Sequence, residues 1–139
     1  MFQQTLDATQ SNFLQHHRVY GEPVLPGAAY LEMAIAAGKK VLKGDEVLLD
    51  NVVISKAITL SAQPTILQTV LTPFSGAQSN GYTFEIYSRL KGESDWTRHA
   101  EGKLISQEHV SLKTVDFDDL KESLDTTLSA TEHYAACAQ

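Results

Sequence analysis

Hydrophobic and polar positions along the chain predict one early helix. Between Ala28 and Lys43, apolar residues recur at spacings of three and four, which is the period of an amphipathic helix. One face of this helix holds Tyr30, Met33, Ala34, Ala37 and Val41. Gly38 interrupts the stretch, at a cost of roughly 1 kcal/mol relative to alanine in a helix interior. We therefore expect Gly38 to lie where the helix approaches a neighbouring sheet closely.

After this helix the pattern changes to β-rich stretches separated by turn residues. Residues 47–60 contain two of them, VLLDNVVI and AITL, and three more run over residues 66–74, 82–90 and 96–105. In YTFEIYSRL the face expected to be more buried comprises Tyr82, Phe84, Ile86 and Ser88. One long helix followed by four or five antiparallel strands predicts an α+β fold in which a curved sheet wraps the helix. The pattern alone does not choose among the folds of this kind.

The two ends of the chain are less regular. The first ten residues are polar and give no clear prediction. The stretch from Phe13 to Leu25 is interpreted as extended, and Pro26-Gly27 closes it. From Gln107 onward the chain is acidic and polar, with a short helix predicted in DFDDLKESL. We therefore divide the chain into a folded domain over residues 1–106 and an acidic linker over residues 107–139.

Composition and charge disfavour several classes of function. The 139 residues include 42% hydrophobic and 20% charged positions, as expected of one soluble globular domain. A formal charge of −6 disfavours nucleic acid or an anionic membrane as the partner. No apolar stretch is long enough to span a bilayer, and the N-terminus lacks the pattern of a secretory signal. Cys137 is the single cysteine, so no internal disulfide or thiolate metal cluster can form, and a cytoplasmic location is expected.

A histidine precedes the helix in a pattern that suits proton transfer. His17 is followed by a turn rich in glycine and proline, and Pro26-Gly27 then leads directly into the helix. The N–H groups of a first helical turn have no partner within the helix and carry a partial positive charge, which favours a developing oxyanion. A base beside such a site can remove a proton next to a carbonyl and stabilise the resulting enolate. From the spacing alone, a structural histidine before an ordinary helix start is the simpler interpretation.

The same residues carry a resemblance to a known family. His17, Gly21 and Pro26 stand as HxxxGxxxxP within FLQHHRVYGEPVLPGAAYLEMA, which resembles the N-terminal signature of dehydratase domains in modular polyketide synthases. LQTVLTPF, YTFEIYSRL and WTRHAEGKL then follow in the order and approximate spacing of that family. The resemblance extends from Phe13 to Ile105, and it favours a catalytic role for His17.

The resemblance implies a fold and an activity. Such domains are double hot dogs, in which two helix-in-sheet halves share one active site and remove water from a β-hydroxyacyl chain on the phosphopantetheine of an acyl carrier protein. It implies that His17 takes the α-proton, that the Gly27 N–H binds the thioester carbonyl, and that no metal or diffusible cofactor is needed. Residues close enough to the motif to line an acyl tunnel are Val19, Tyr20, Val24 and Leu25. Related domains shift double bonds or form cyclic ethers, and this half does not separate those outcomes.

The resemblance also implies what this chain lacks. In the family, the second half supplies an aspartate within a DxxxQ or DxxxH motif, which protonates the departing hydroxyl. Here EHYAACAQ resembles the opening of that second half. A formal DxxxH runs from Asp95 to His99, but it lies in the stretch that matches the last strand of the first half. We interpret it as coincidence and expect His99 to pack or hydrogen-bond within the sheet. The chain is therefore expected to be catalytically incomplete alone and to associate with a second half or with itself.

Two other classes of function stay open. A self-sufficient homodimeric hot-dog hydratase, dehydratase or thioesterase would need an acid from its own chain, which Asp95 or the acidic linker would have to supply. A scaffold or docking subdomain in a megasynthase would need no acid, although the intact His17 motif counts against it. His16 is expected to face solvent and not to form a metal site with His17, because neighbours on a strand point to opposite faces. The cluster of Asp116, Asp118 and Asp119 is interpreted as part of the solvated linker.

Overall fold

The computed structural model describes residues 1–7, 12–42, 46–75, 80–107, 115–124 and 126–137. The chain forms two compact units, residues 1–109 and residues 110–139. Lys43, the predicted end of the long helix, lies outside the described residues. Among the described residues, none of the helices has the length and apolar content needed to cross a membrane.

The first unit consists of a long helix and an antiparallel sheet, preceded by a one-turn helix and a small hairpin. In chain order the elements are β1 (Phe2–Leu6), α1 (Asn12–His16), β2 (Arg18–Val19), β3 (Glu22–Pro23), α2 (Gly27–Val41), β4 (Glu46–Ile54), β5 (Thr65–Ser75), β6 (Asn80–Leu90) and β7 (Thr97–Gln107). Five strands form one sheet in the order β1-β5-β6-β7-β4, and β2 and β3 form a separate two-stranded sheet. The predicted α+β architecture is confirmed.

Helix α2 buries its apolar face against the sheet. Tyr30, Ala34 and Ala37 are buried on this face, as the helical spacing predicts. The other buried residues of the core are Leu14, Leu25, Ile58, Leu60, Leu67, Phe84, Ile86, Ala100 and Leu104. The Tyr30 hydroxyl accepts a hydrogen bond of 2.9 Å from the Ile58 N–H, so its polar end is satisfied inside the core. Burial of the phenol raises the pKa of Tyr30 above its ordinary value.

The close approach expected at Gly38 is present. A Cβ built on Gly38 would lie 3.0 Å from Val47 Cγ1 and 3.3 Å from Leu104 Cδ2. Glycine therefore lets the α2 backbone lie directly against β4 and β7. This packing offsets the low helix propensity of glycine at this position.

The three long strands β5, β6 and β7 correspond closely to the predicted stretches. On β6, Phe84, Ile86 and Ser88 are buried and Tyr82 is partly buried, which confirms the predicted face. Phe84 pairs directly with Gly102 on β7, and the Phe84 ring occupies the space where a side chain at 102 would lie.

Several local predictions are wrong. Residues 13–25 are not one extended segment: they contain helix α1, whose Leu14 is anchored in the core, and the β2–β3 hairpin. AITL does not form a strand and makes one isolated bridge, from Thr59 to Val24, because its backbone bonds to Pro23 and Leu25 and not to the five-stranded sheet. Strand β1 was not predicted, because its three central residues are polar and exposed.

The second unit contains two short helices, α3 (Phe117–Glu122) and α4 (Ala130–Cys137). The helix predicted in DFDDLKESL is confirmed as α3, and the Asp116 carboxylate caps it by accepting the Asp118 N–H at 2.9 Å. Helix α4 was not predicted. It begins with a capping box in which Glu132 Oε2 accepts the Ser129 N–H at 2.8 Å and Ser129 Oγ accepts the Glu132 N–H at 3.2 Å. The described residues of both helices are exposed.

Candidate active site around His17

The β2–β3 hairpin fixes the position of His17. Its two-residue turn consists of Tyr20 and Gly21, with φ values of 51° and 84°. Positive φ at both central residues defines a type I′ turn, which matches the twist of paired strands and favours glycine. The hairpin register pairs Arg18 with Pro23 and Val19 with Glu22. Gly21 of the HxxxGxxxxP motif therefore has a backbone role, and the register brings His17 opposite Val24.

His17 and Val24 are joined by two hydrogen bonds. The Val24 N–H donates to the His17 carbonyl at 2.9 Å, and His17 Nδ1 lies 2.7 Å from the Val24 carbonyl oxygen. Because a carbonyl oxygen can only accept, His17 Nδ1 carries the hydrogen of this bond. In the neutral imidazole, Nε2 then bears the lone pair and can accept a proton. The His17 side chain is exposed, so this nitrogen is accessible.

Backbone hydrogen bonds connect the hairpin to the segment that follows β4. The Leu60 N–H donates to the Pro23 carbonyl at 2.8 Å, and the Leu25 N–H donates to the Ile58 carbonyl at 2.9 Å. Leu25 is buried, so the chain after the hairpin is anchored in the core by its side chain as well. The segment that carries Val24, the partner of His17, is thus held by the body of the fold.

Helix α2 begins three residues after Val24, at Gly27. Pro26 is its N-cap residue, with φ −59° and ψ 144°, and it makes no side-chain capping bond. The fixed φ of proline prepares the start of a helix. The N–H of Gly27 belongs to the first helical turn, where N–H groups have no partner within the helix. Gly27 is exposed, and a Cβ built on it would lie 3.7 Å from Ile54 Cδ1 on β4.

The four residues predicted to line an acyl tunnel differ in their environments. Val19 and Tyr20 are exposed at the hairpin, Val24 is partly buried and Leu25 is buried. A groove of about 430 Å³ lies between β1, α1, α2 and β5. Of the four residues, only Leu25 lines this groove, together with Leu6, Leu14, Met33, Ala37 and Leu67. Their role in a tunnel stays a prediction.

His99 is buried, and the sequence predicted that it packs or hydrogen-bonds within the sheet without indicating its partners. Its Nε2 lies 2.8 Å from the Ser88 hydroxyl, and its Nδ1 lies 3.0 Å from the Lys56 carbonyl oxygen. Nδ1 therefore donates to the carbonyl, and Nε2 accepts from Ser88. Burial lowers the pKa of His99 below its ordinary value, because the charged form loses hydration. The prediction that His99 hydrogen-bonds within the sheet is confirmed.

Two further candidates, Asp95 and His16, are both exposed. Asp95 lies on the exposed loop before β7 and accepts a hydrogen bond from the Ser94 hydroxyl. With both ring nitrogens of His99 bonded elsewhere, the formal DxxxH is not a functional pair. His16 is exposed, as predicted, but it ends helix α1 and does not lie on a strand. Within the described part of the chain, histidine, cysteine and acidic residues form no group of three or more suited to a metal ion.

Comparison with known proteins identifies the family. A family model described as a polyketide synthase dehydratase domain matches residues 1–89. The chain is 32% identical over 133 residues to the polyketide synthase PksM of Bacillus subtilis. It is similar in structure to the dehydratase domain from the CurK module of the curacin polyketide synthase, with a TM-score of 0.77 and 27% identity. A trans-AT polyketide synthase dehydratase domain from Brevibacillus brevis gives a TM-score of 0.76 and 26% identity. This chain therefore belongs to the polyketide synthase dehydratase domain family.

The chain corresponds to part of these relatives. The match to PksM covers 89% of this chain and 3% of the relative. The match to the CurK domain covers 96% of this chain and 47% of that one, so the chain spans about half of a solved dehydratase domain. Two similar structures are inactive mutants of the CurK dehydratase, one with a histidine changed to phenylalanine and the other with an aspartate changed to asparagine. The chain has the N-terminal half of the dehydratase hot-dog fold, as the resemblance implied.

Proposed function

We propose that this chain supplies the base half of a dehydratase that acts on a β-hydroxyacyl thioester carried by an acyl carrier protein. His17 Nε2 takes the proton from the α-carbon, and the electron pair of that C–H bond forms the new double bond. The bond between the β-carbon and the hydroxyl oxygen breaks, and an acid of the second half protonates the leaving oxygen. The products are water and an α,β-enoyl thioester, with no metal or diffusible cofactor taking part.

The hydrogen bond from His17 Nδ1 to the Val24 carbonyl carries the proposal. It orients the ring and leaves the Nε2 lone pair as the proton acceptor. When Nε2 is protonated, the same carbonyl stabilises the charged imidazolium. One inactive mutant of the CurK dehydratase lacks a histidine and another lacks an aspartate, and these are the residue types that the proposal assigns as base and acid.

Gly27 is proposed to bind the thioester carbonyl through its backbone N–H. Two residues separate Gly27 from Val24, whose carbonyl holds His17, so base and helix start are close along the chain. An N–H at a helix start stabilises the negative charge that develops on the carbonyl oxygen as the α-proton leaves. The glycine also leaves this surface free of a side chain.

The second half is proposed to cover strand β4. This strand lies at one edge of the sheet, and it exposes Leu48, Val53 and Ile54. Exposed apolar residues on an edge strand favour association with another protein surface. Because Ile54 lies beside Gly27, a partner that covers this edge would also close over the proposed site.

Dehydration of a β-hydroxyacyl thioester, followed by mass spectrometry, tests the proposal. The full chain is assayed alone and with a second dehydratase half added. We expect activity only in the mixture, and His17→Ala should lower it by roughly 10²- to 10⁴-fold. His16→Ala is the matched control, since His16 is the exposed neighbour and should leave the rate unchanged. Activity of the chain alone would instead favour the self-sufficient hot-dog enzyme, with its acid in this chain.

A further inference from the structure

Arg18 connects two separate parts of the backbone around His17. Its Nε donates to the Gln15 carbonyl in α1 at 2.8 Å, and its Nη1 donates to the Gly21 carbonyl in the hairpin turn at 2.6 Å. Its Nη2 also donates to the Gln15 side-chain oxygen at 3.2 Å. One guanidinium therefore joins the end of α1 to the turn, and His17 lies between these two anchor points in the sequence.

The hairpin needs such a connection because it is very small. Each of its strands has two residues, and a two-stranded sheet of this size is not stable by itself in water. On the other side of the hairpin, the Pro23 carbonyl of β3 accepts the Leu60 N–H, and the Leu25 N–H beyond it donates to the Ile58 carbonyl. The strand on the His17 side, β2, pairs with β3 across the hairpin. Its own Arg18 side chain bonds to Gln15 before the strand and to Gly21 after it.

The contacts of Arg18 suit arginine specifically. The last carbonyls of a helix have no partner within the helix, and a cation there is favourable. A guanidinium presents its donors in a rigid planar fork, so Nε and Nη1 can bond two carbonyls that lie in different directions. The ammonium of lysine is a single point at the end of a flexible chain and cannot hold both carbonyls in this fixed geometry.

We propose that Arg18 is a positioning residue for His17. By fixing the distance between the end of α1 and the turn, Arg18 keeps the His17 backbone in register with Val24, and the 2.7 Å bond from Nδ1 depends on that register. Arg18 thus determines which ring nitrogen carries the hydrogen. An effect of Arg18 on the dehydration rate rests on the proposed role of His17 as the base. An effect of Arg18 on the tautomer of the His17 ring does not depend on that role.

Nitrogen NMR of the histidine rings in the full chain tests this directly. At about pH 8.5, where histidines are neutral, the ¹⁵N shifts of a ring held in one tautomer are widely separated, and those of an exchanging ring converge. In the wild type we expect His17 to show a protonated Nδ1. In Arg18→Gln the two His17 shifts should converge, while the thermal midpoint stays close to that of the wild type. Arg18→Lys should behave like Arg18→Gln and not like the wild type.

Arg98→Gln is the matched control, because Arg98 is an exposed arginine whose partners Glu85 and Glu101 lie on β6 and β7. It should leave the His17 shifts unchanged. In the mixture with a second half, Arg18→Gln should lower the dehydration rate at least roughly tenfold. Unchanged His17 shifts in Arg18→Gln, or in Arg18→Lys if the glutamine variant does not fold, would overturn the proposal. If the His17 shifts converge in Arg18→Gln but the wild-type mixture shows no dehydration, the positioning role of Arg18 is supported. Only the proposed function is then contradicted.

Discussion

Replacing Gly102 with alanine tests how closely β7 and the Phe84 ring pack. A Cβ at position 102 would lie 2.7 Å from Phe84 Cε1, 2.9 Å from Phe84 Cζ and 3.2 Å from the Val52 Cα. Favourable carbon contacts are about 3.5–4.0 Å, so the new methyl group would overlap the ring and also crowd the Val52 backbone. The Phe84 ring is fully buried in the core and has little room to move.

The expected loss of stability follows from two opposing terms. Overpacking a filled core costs about 1–3 kcal/mol. Alanine is favoured over glycine in a strand by roughly 0.5–1 kcal/mol, which offsets part of this cost. We therefore expect Gly102→Ala to lower the free energy of unfolding by about 0.5–2 kcal/mol. Urea denaturation should show a lower midpoint with an unchanged slope, because the surface exposed on unfolding is the same.

Gly27→Ala is the matched control for Gly102→Ala. A Cβ at position 27 would lie 3.7 Å from Ile54 Cδ1, which is an ordinary contact, so the unfolding midpoint should not fall. Phe84→Leu in the Gly102→Ala background should cost less than the sum of the two single changes, because the clash is removed. A Gly102→Ala protein as stable as the wild type would show that the ring moves aside freely and would refute the packing argument.

Three further predictions concern His99 and the hairpin turn. Ser88→Ala leaves His99 Nε2 buried without its hydrogen-bond donor. The free energy of unfolding, measured by urea denaturation, should therefore fall by about 1–3 kcal/mol. No change would mean that water replaces the hydroxyl. Because burial lowers the pKa of His99 below 6.5, the unfolded state binds the proton more readily, and stability should fall as the pH drops below about 6.5. His99→Gln should lack this part of the pH dependence of the midpoint, and an identical pH profile would contradict the assignment. Tyr20→Asn should keep or raise stability by up to about 1 kcal/mol, because asparagine tolerates positive φ better than tyrosine; a lower midpoint would show that the Tyr20 side chain is a structural contact.

The longer elements of the fold could be predicted because their patterns extend over enough residues. Helix α2 was predicted over residues 28–43 and is found at Gly27–Val41, since four helical turns give a clear period. The strand β1 has only five residues, and because the central three are all polar it shows no alternation of apolar and polar positions. Helix α4 was missed although Ser129 and Glu132 form the S-x-x-E signature of a helix start.

The candidate site could be predicted only as far as it depends on local sequence. His17 was found through its motif, but its partner follows from the register of a two-residue turn that opens with Tyr20. Such turns usually begin with asparagine, aspartate or glycine, so the hairpin gave a weak signal. The partners of His99 could not be deduced either. Ser88 pairs with Thr97, so it meets His99 only because of the strand register and the irregularity next to it, and sequence alone fixes neither.

In the proposed site, the second half is needed to exclude water as well as to supply the acid, because His17 and Gly27 are both exposed. In the described half both residues face solvent, so a carbonyl bound there would remain hydrated and its developing charge would be screened. A partner that covers β4 excludes water from the region beside Ile54, and the dipole of the Gly27 N–H then acts in a medium of lower dielectric constant. The same event brings the acid to the leaving hydroxyl. Association and catalysis are therefore coupled in this proposal, because the apolar edge that favours association borders the residues that carry out the chemistry.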